Sequence, residues 1–540
     1  MYTFSSRLKT IAFVLMILGI LGIGYSFFTA PKTVEDVEAI LAAQDAHGHH
    51  GAAAHDASDN AAHDADVHTT QDVHSNDALQ KDATDHVIHD EQDHAENEDR
   101  HITSTPELGQ EGPATAEGDS AEVTSAGQDV RDNVAHTEIG QDHAADAVHG
   151  EEKTHDAHAA HGEEAHASHN DHQEHLEHVL HQLQNKPWAA VYIAALFFML
   201  ISLGVLAFYA IQIAAQAGWS PVLFRVMEGI SAYLVPGAII VYVLLVLGVA
   251  HVHHLFIWLD PEVVANDHLI QGKTGYLNGP FFLIRAAVFM GGWILYRQYA
   301  RRNSLAQDDA SDYTLHKKLF KASAGFLVFF IVTESLMSWD WIMSVDPHWY
   351  STLFGWYVFA SFIVSSVTVI ALVTLYLKSL GYLEYVNTSH IHDLGKFMFG
   401  FSIFWTYLWF AQFMLIWYAN IPEEVTYFVT RIEQYNLPFF GMLVMNFVFP
   451  ILILVNTDFK RLSWIIVMAG IVILCGHYID FFNMIMPATV GDQWFIGAGE
   501  LGAIAFFLGL FIFVVFTALS KAPLLAKRNP LVEESKHFHY

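Results

Sequence analysis

Two carboxylates inside an apolar segment are the first residues of this sequence that could do chemistry. The segment 319–345 is long and apolar, yet it carries Glu334 and Asp340, with Ser335 and Ser338 between them. Ionisable groups within a membrane are costly, and they usually face the protein interior or a water path. This spacing predicts a ladder of carboxyl and hydroxyl groups that carries protons along the segment.

The alternative for these carboxylates is a structural ion pair with a base on another segment. At about 1.5 Å of rise per residue, Glu334 lies roughly 20 Å and Asp340 roughly 28 Å from Lys321. Arg285, in the segment 278–299 and about 12 Å in from the outer face, is an available partner. Both interpretations stay open at this point.

A second group of polar residues is expected at the same membrane level as Asp340. Asp346 and His348 directly follow the segment 319–345, and His251, His253 and His254 directly follow the segment 222–250. Trp339 is one of the flanking aromatic residues. A histidine can accept the hydroxyl proton of a quinol, and a carboxylate can carry that proton away. The sequence therefore predicts a quinone head-group site, and the alternative is interfacial capping in an aromatic belt.

His477 and Asp480 form a further candidate pair because they lie about one helical turn apart on one face. His477 is the one histidine well inside an apolar segment, whereas a membrane b-haem needs two facing histidines. Cys475 is the only cysteine of the chain, and an iron–sulfur cluster typically needs four thiolates. We therefore expect no haem, no iron–sulfur cluster and no resident metal on this chain.

Ten apolar segments of membrane-spanning length must position these residues. Hydrophobic residues make up 53% of the chain and charged residues only 15%, well below the roughly 25% of a soluble protein. No period-two alternation recurs, so an all-α integral membrane protein is predicted rather than a β-barrel. The segments lie near 8–30, 188–214, 222–250, 278–299, 319–345, 351–378, 395–419, 430–455, 462–485 and 498–520.

Between the first two segments lies an acidic, histidine-rich insert that cannot bury a core. The chain has a net charge of −31, and we count 36 acidic and 4 basic residues in 33–185. Residues 45–181 hold 23 of the 34 histidines. We expect a long disordered, low-complexity segment that is dispensable for folding. Its histidines predict either loose, multivalent metal binding or a solvated, pH-buffering tail.

Four short motifs stand out in the apolar part of the chain. They are the run WDWIMSVDPHWYSTLFGWY at 339–357, LDPE at 259–262, HDLGK at 392–396 and WYANIPEE at 417–424. Together they resemble the NrfD-like membrane subunits of alternative complex III, a bacterial quinol oxidoreductase. The resemblance covers about residues 188–530 and is greater to the second such subunit, the ActF type. The insert has no counterpart in that family.

The resemblance implies two four-helix bundles flanked by peripheral helices. It also implies partner subunits: a multihaem cytochrome c, an iron–sulfur protein, a second NrfD-like subunit and a terminal oxidase, with no nucleic acid. Menaquinol is the implied substrate and menaquinone the candidate cofactor. In this family the first NrfD-like subunit is the better-supported quinol site, so this chain is expected to support quinol oxidation, transmembrane proton transfer, or both, without a redox centre of its own.

The sequence therefore predicts a multi-pass subunit of the bacterial inner membrane in four parts. These are a first helix at 1–30, the insert at 31–187, a nine-helix domain at 188–520 and a tail at 521–540. A structural anchor without its own site is one alternative function. A metal-ion transporter is another, although mid-depth lacks the paired histidines and carboxylates that it would need.

The distribution of lysine and arginine predicts that both termini are cytoplasmic. With the N-terminus inside, seventeen basic residues fall inside and four fall outside, not counting the insert and Arg285. Reporter fusions after Asn303 and Asn529 should therefore report cytoplasm. A protease added outside should cut a tag near Thr115, and protection of that tag would overturn the orientation.

Overall fold

A computed structural model of the chain describes residues 2–42 and 160–539. These residues are helical or lie in connections, and no strand occurs among them. The expected disorder of the insert and most of its histidines fall on residues 43–159, outside the described residues. The predicted all-α class is confirmed for the described part.

Ten helices are long and apolar enough to cross a membrane, so the chain is a multi-pass membrane protein. Their positions agree with the ten predicted segments, although several helices extend further. The longest covers 55 residues and begins well before the second predicted segment, within the insert. The helices are α1 Ser6–Thr29, α2 Ala160–Ala214, α3 Pro221–Val249, α4 Gly279–Gln307, α5 Thr314–Trp341, α6 Phe354–Ser379, α7 Thr388–Ala419, α8 Asn436–Leu454, α9 Ser463–Val490 and α10 Ala498–Leu519.

Local irregularities shape several of these helices. α3 begins with short 3-10 and α-helical turns before its regular part, Leu234–Val249. α8 contains one π-helical turn, Val444–Val448, directly before Pro450. Pro450 has no backbone N–H to donate, and π-turns are frequent at functional positions. The connections contain further short helices, at Pro261–Asn266, His268–Lys273, Pro422–Glu433 and Val532–Lys536.

The helices pack as two closed groups of four. α3 packs on α4, and α4 packs on α5. α2 closes this group, because Tyr209 donates to Glu228 on α3 and Tyr192 donates to the backbone carbonyl of Trp341 on α5. In the second group, α6 packs on α7 and α9, and α8 fills the space between α7 and α9. α2 and α6 are the most buried helices, because each also lies between the groups. α1 and α10 pack together outside them, with α10 against the start of α3.

Connections meet at the two ends of this assembly. At the end that we name the histidine end, the Asn185 amide bonds both backbone groups of His254, at 3.1 and 3.2 Å, and His348 bonds Asp267. At the opposite end, the terminal end, the Asn387 amide donates to the carbonyl of Phe538 at 2.6 Å. Ser535 likewise donates to the carbonyl of Trp219. The histidine end corresponds to the predicted outer level.

Glycines allow α1 to lie directly against α10. A Cβ atom on Gly502 would come within 2.9 Å of the backbone of Gly22, and one on Gly19 within 2.6 Å of Phe506. Small residues of this kind let membrane helices approach closely, where van der Waals packing provides the attraction. α1 is therefore packed along its length as an integral helix of the fold.

Gly502→Leu should weaken this packing. The added side chain meets backbone atoms of α1, which cannot move aside as a flexible side chain can, so a loss of about 1–3 kcal/mol is expected. Gly400→Leu is the matched control, because a Cβ there meets nothing within 4 Å. Thermal melting of the purified chain should be lower for the Gly502 variant alone, and equal melting would contradict the packing.

Candidate functional site

The α4–α5 pair is the best-defined ionic contact in the interior. Arg285 grips Asp340 with two parallel bonds, from Nε to Oδ2 at 2.6 Å and from Nη2 to Oδ1 at 3.1 Å. Its remaining amino group donates to the carbonyl of Tyr276, and its guanidinium carbon lies 3.9 Å from the ring centroid of Tyr276 and 4.2 Å from that of Phe281. Such two-pronged, stacked pairing fixes an arginine firmly. The structure thus provides the ion pair that was the alternative for Asp340.

Glu334 has a different environment from Asp340, although both lie on α5. Glu334 is only 2% exposed, and its carboxyl group accepts from the hydroxyls of Ser335 at 3.2 Å and Ser338 at 3.5 Å. No lysine or arginine forms an ion pair with it among the described residues. Glu334 thus contacts both serines of the predicted ladder, whereas Arg285 binds the Asp340 carboxylate. The proton-carrying role of the ladder stays a prediction.

His348 and Asp267 connect two loops at the histidine end. Nε2 of His348 lies 2.5 Å from Oδ2 of Asp267, and the other carboxylate oxygen accepts the backbone N–H groups of Leu269 and Ile270. The hydrogen bond with His348 holds the pKa of Asp267 below its usual value. Asp346 is half-buried in the same loop as His348, and its backbone carbonyl accepts from Trp349.

The residues predicted to bind a quinone head group have diverse surroundings. Nε2 of His253 lies 3.0 Å from the carbonyl of Leu244, and Nδ1 accepts the N–H of Leu255 at 3.4 Å. Both ring nitrogens are engaged, and burial lowers the pKa of His253, so it is a poor proton acceptor. His251 and His254 are exposed, and Nε1 of Trp339 has no hydrogen-bond partner among the described residues. Their quinone role stays a prediction.

His477 and Asp480 form the centre of a polar cluster inside the second helix group, and both are fully buried. Their side chains are 3.7 Å apart. The indole of Trp405 on α7 donates to Oδ2 of Asp480 at 2.8 Å, and the hydroxyl of Tyr357 on α6 donates to Oδ1. Ser361 on α6 lies 3.0 Å from Nδ1 of His477. Asp480 is thus held by neutral donors and a histidine rather than by a fixed cation.

Asn446 brings the irregular helix α8 into this cluster. Its side-chain amide lies 3.4 Å from Nδ1 of His477, and it is located within the π-turn of α8. The close approach depends on Gly476, because a Cβ there would lie 2.1 Å from Oδ1 of Asn446. The π-turn and the glycine together place a fourth polar side chain beside the histidine.

Polar atoms without a hydrogen-bond partner among the described residues continue from this cluster in both directions. Buried polar groups are normally bonded to protein or to ordered water, so we expect ordered water beside these atoms and name the series the polar path. A cavity of about 10 Å³, close to the size of one water molecule, is bordered by Tyr357, Gln412 and Asn483. The atoms are Oγ of Ser402, Nε1 of Trp409, Oε1 of Gln412, Oδ1 of Asn446, Nε2 of His477 and Oδ1 of Asn483.

Arg431 lies at the histidine end of this path. It is 4% exposed, and its guanidinium donates to the carbonyls of Asn483 at 2.9 Å and Tyr427 at 2.7 Å. Its plane also rests on the Tyr427 ring, and burial raises the pKa of that tyrosine. No carboxylate lies within ion-pair distance of Arg431 among the described residues. The guanidinium supplies a fixed positive charge close to the cavity.

A separate ionic network holds the terminal end. Arg225 bonds Glu228 at 3.0 Å and Asp308 at 2.7 Å, and Glu228 also bonds Arg301, Ser304 and Tyr209. Acids and bases compensate one another here, and α2, α3 and α4 are joined. This arrangement is typical of a structural network.

Tyr357 and Trp405 are the functional candidates that the sequence analysis missed. Tyr357 closes the motif at 339–357, and Trp405 lies three residues after Ser402 on the buried face of α7. An aromatic residue in a membrane helix usually indicates core or interface, so their type alone gives no signal. A donor role becomes visible only when α6, α7 and α9 are brought together.

No group of three or more histidine, cysteine, aspartate or glutamate side chains that could hold a metal ion occurs in residues 2–42 and 160–539. A scan against models of protein families and a search of curated proteins each found no match. We therefore infer the function from the geometry described above and from the resemblance of the sequence motifs.

Asp340→Asn should destabilise the protein, whereas Glu334→Gln should leave its stability unchanged. The first leaves Arg285 buried without a counter-charge, which costs about 3–5 kcal/mol, whereas the second keeps the shape and the serine contacts. Lower yield and melting temperature are expected for Asp340→Asn only. The double variant Arg285→Met with Asp340→Leu should recover much of the loss, because it removes both charges. Equal stability of all variants would contradict the ion-pair assignment.

Proposed function

We propose that this chain is a membrane subunit of a respiratory quinol:cytochrome c oxidoreductase and that it transfers protons through its second helix group. The observation that carries the proposal is the His477–Asp480 cluster with its adjoining series of polar atoms. Asp480 accepts hydrogen bonds from two neutral donors and lies beside an imidazole, and carboxyl and imidazole groups can both take up and release a proton. A permanently ion-paired carboxylate such as Asp340 lacks that freedom.

Proton transfer needs an entry, a relay and a field that favours movement. The cavity at Tyr357, Gln412 and Asn483 supports an entry from the histidine end. Asp480, His477 and Asn446 supply the relay, and Ser402 continues it towards the terminal end. Arg431 lines this cavity, so its fixed positive charge disfavours a proton that stays in the cavity and favours its movement onward to the relay.

Glu334 is proposed as a second proton-carrying group in the first helix group. An isolated anion in an apolar interior is very costly, whereas a protonated carboxyl needs only hydrogen bonds such as those of Ser335 and Ser338. The group is therefore expected to carry a proton at rest and to release it only during turnover.

The quinol-oxidising complex itself is proposed from the resemblance of the motifs to NrfD-like subunits of alternative complex III. The scarcity of cysteine and of interior histidine supports redox centres on partner subunits rather than on this chain. Purification from native membranes tests this directly. Co-isolated c-type haem and iron–sulfur subunits are expected, and their absence would reject the complex. A chain that instead moves metal ions in vesicles would support the transporter.

Asp480→Asn and Tyr357→Phe should slow turnover without loss of assembly. Asparagine keeps an acceptor for Trp405 but cannot exchange a proton, and phenylalanine removes one of the two donors to Asp480. A fall of about tenfold or more in quinol oxidation and proton release is expected for Asp480→Asn, since general acid–base groups contribute about 10²–10⁴-fold.

Thr406→Ala is the matched control, because that hydroxyl bonds only the carbonyl of Ser402 in its own helix. Complex yield must be measured beside turnover for each variant. Normal yield with normal turnover and proton release in Asp480→Asn would remove the proton path and leave the structural anchor as the function.

A further inference from the structure

An elongated apolar groove opens between α9 and α10, outside the polar cluster. Its volume is about 600 Å³, and its lining is almost wholly apolar. Residues Glu500, Ile504, Leu508, Phe511 and Phe516 form one stripe along α10. From Glu500 to Phe516 this stripe rises by roughly 24 Å, most of a hydrocarbon core of about 30 Å.

The groove penetrates to the most buried helix of the protein. Phe197, Phe198 and Ile201 of α2 line it, together with residues of α6 such as Tyr376. α2 is otherwise almost completely enclosed by its neighbours. A shallow dip between two lipid-facing helices would not reach that helix. An apolar cavity of this size does not stabilise water, so it suits a long hydrocarbon chain.

A second chamber, with a more polar lining than the groove, lies at the histidine end, and Glu500 lines both spaces. The chamber has a volume of about 680 Å³ and is bordered by Lys186, Asp492 and Gln493 as well as by the first residues of α10. A molecule with an apolar chain in the groove would therefore place its head group in the chamber.

Lys186 is the cation of this chamber, and it is only 7% exposed. Its ammonium donates to the carbonyl of Gln493 at 3.3 Å and lies 3.0 Å above the ring centroid of Phe495. A lysine has three donors, and only one is used by an oxygen among the described residues. No carboxylate of those residues lies within ion-pair distance of it. The free N–H groups can bind an oxygen acceptor.

Glu500 supplies the complementary acceptor. One of its oxygens accepts the N–H of Gly497 at 2.8 Å, and the other has no hydrogen-bond partner among the described residues. A single head group that both accepts from Lys186 and donates to Glu500 satisfies both residues. The hydroxyl and carbonyl oxygens of a quinol or quinone have this capacity.

A phospholipid fits the same space less well. Its phosphodiester is an anion that can only accept hydrogen bonds, so Glu500 and Asp492 would oppose it. It also carries two acyl chains, whereas the groove presents one stripe along α10. We infer that the α9–α10 groove and the Lys186 chamber together bind an isoprenoid quinone, with the ring beside Lys186 and Glu500. This inference rests on the proposed function for its quinone pool.

A photoreactive azidoquinone added to native membranes tests the site in the assembled protein. With the azide on the quinone ring, labelled peptides are expected from the chamber, around Lys186 and from 492–500. Leu508→Trp fills the groove, and Lys186→Met removes the cation of the chamber. Each should reduce labelling and the quinone recovered from the purified protein by about tenfold.

Matched controls separate the site from general damage. Leu452→Trp places the same side chain on the exposed surface of α8, where Leu452 is 67% exposed, and Lys32→Met removes an exposed lysine. Both should bind quinone normally. Unchanged labelling in the groove variants, or recovery of phospholipid and no quinone from this site, would overturn the inference. Quinone binding without haem-bearing partners would sustain the site while rejecting the proposed complex.

Discussion

A bilayer offers no hydrogen-bond partners, and the interior of this protein is organised around that constraint. Each buried charge must be satisfied by another part of the chain, and three solutions occur. Arg285 with Asp340, and Arg225 with its two carboxylates, use ion pairs. Asp480 uses two neutral donors and a histidine. Glu334, Lys186 and Arg431 are buried with hydrogen bonds but no opposite charge within ion-pair distance among the described residues.

These solutions differ in how freely a proton or a ligand can exchange. A two-pronged ion pair fixes both charges and favours rigidity, as at Arg285. Neutral donors stabilise an anion without preventing protonation, as at Asp480. A lysine whose donors are mostly unused can bind an incoming oxygen, as at Lys186. The proposed division between scaffold, proton relay and quinone site follows these differences, with the relay in the second helix group and the quinone groove outside it.

The sequence predicted the helices well because a run of about 20 apolar residues is a strong local signal. It also identified Glu334, Asp340, Arg285, His477 and Asp480, since ionisable residues in such runs are conspicuous. It did not separate Asp340 from Glu334, because the ion pair depends on the rotation of α4 against α5. Tyr357, Trp405 and the π-turn that presents Asn446 were also not recognised. Their roles arise from the meeting of α6, α7, α8 and α9, which no local pattern encodes.

In the proposed mechanism, interior carboxyl groups change protonation when quinol is oxidised. Infrared difference spectra measure the stretching band of protonated carboxyl groups directly. They would be recorded on the purified complex, between its quinol-reduced and oxidised states. Difference bands are expected in that region, of which one is lost in Asp480→Asn and another in Glu334→Gln. A spectrum without such bands, or with bands that persist in both variants, would rule out proton transfer through these two carboxyl groups.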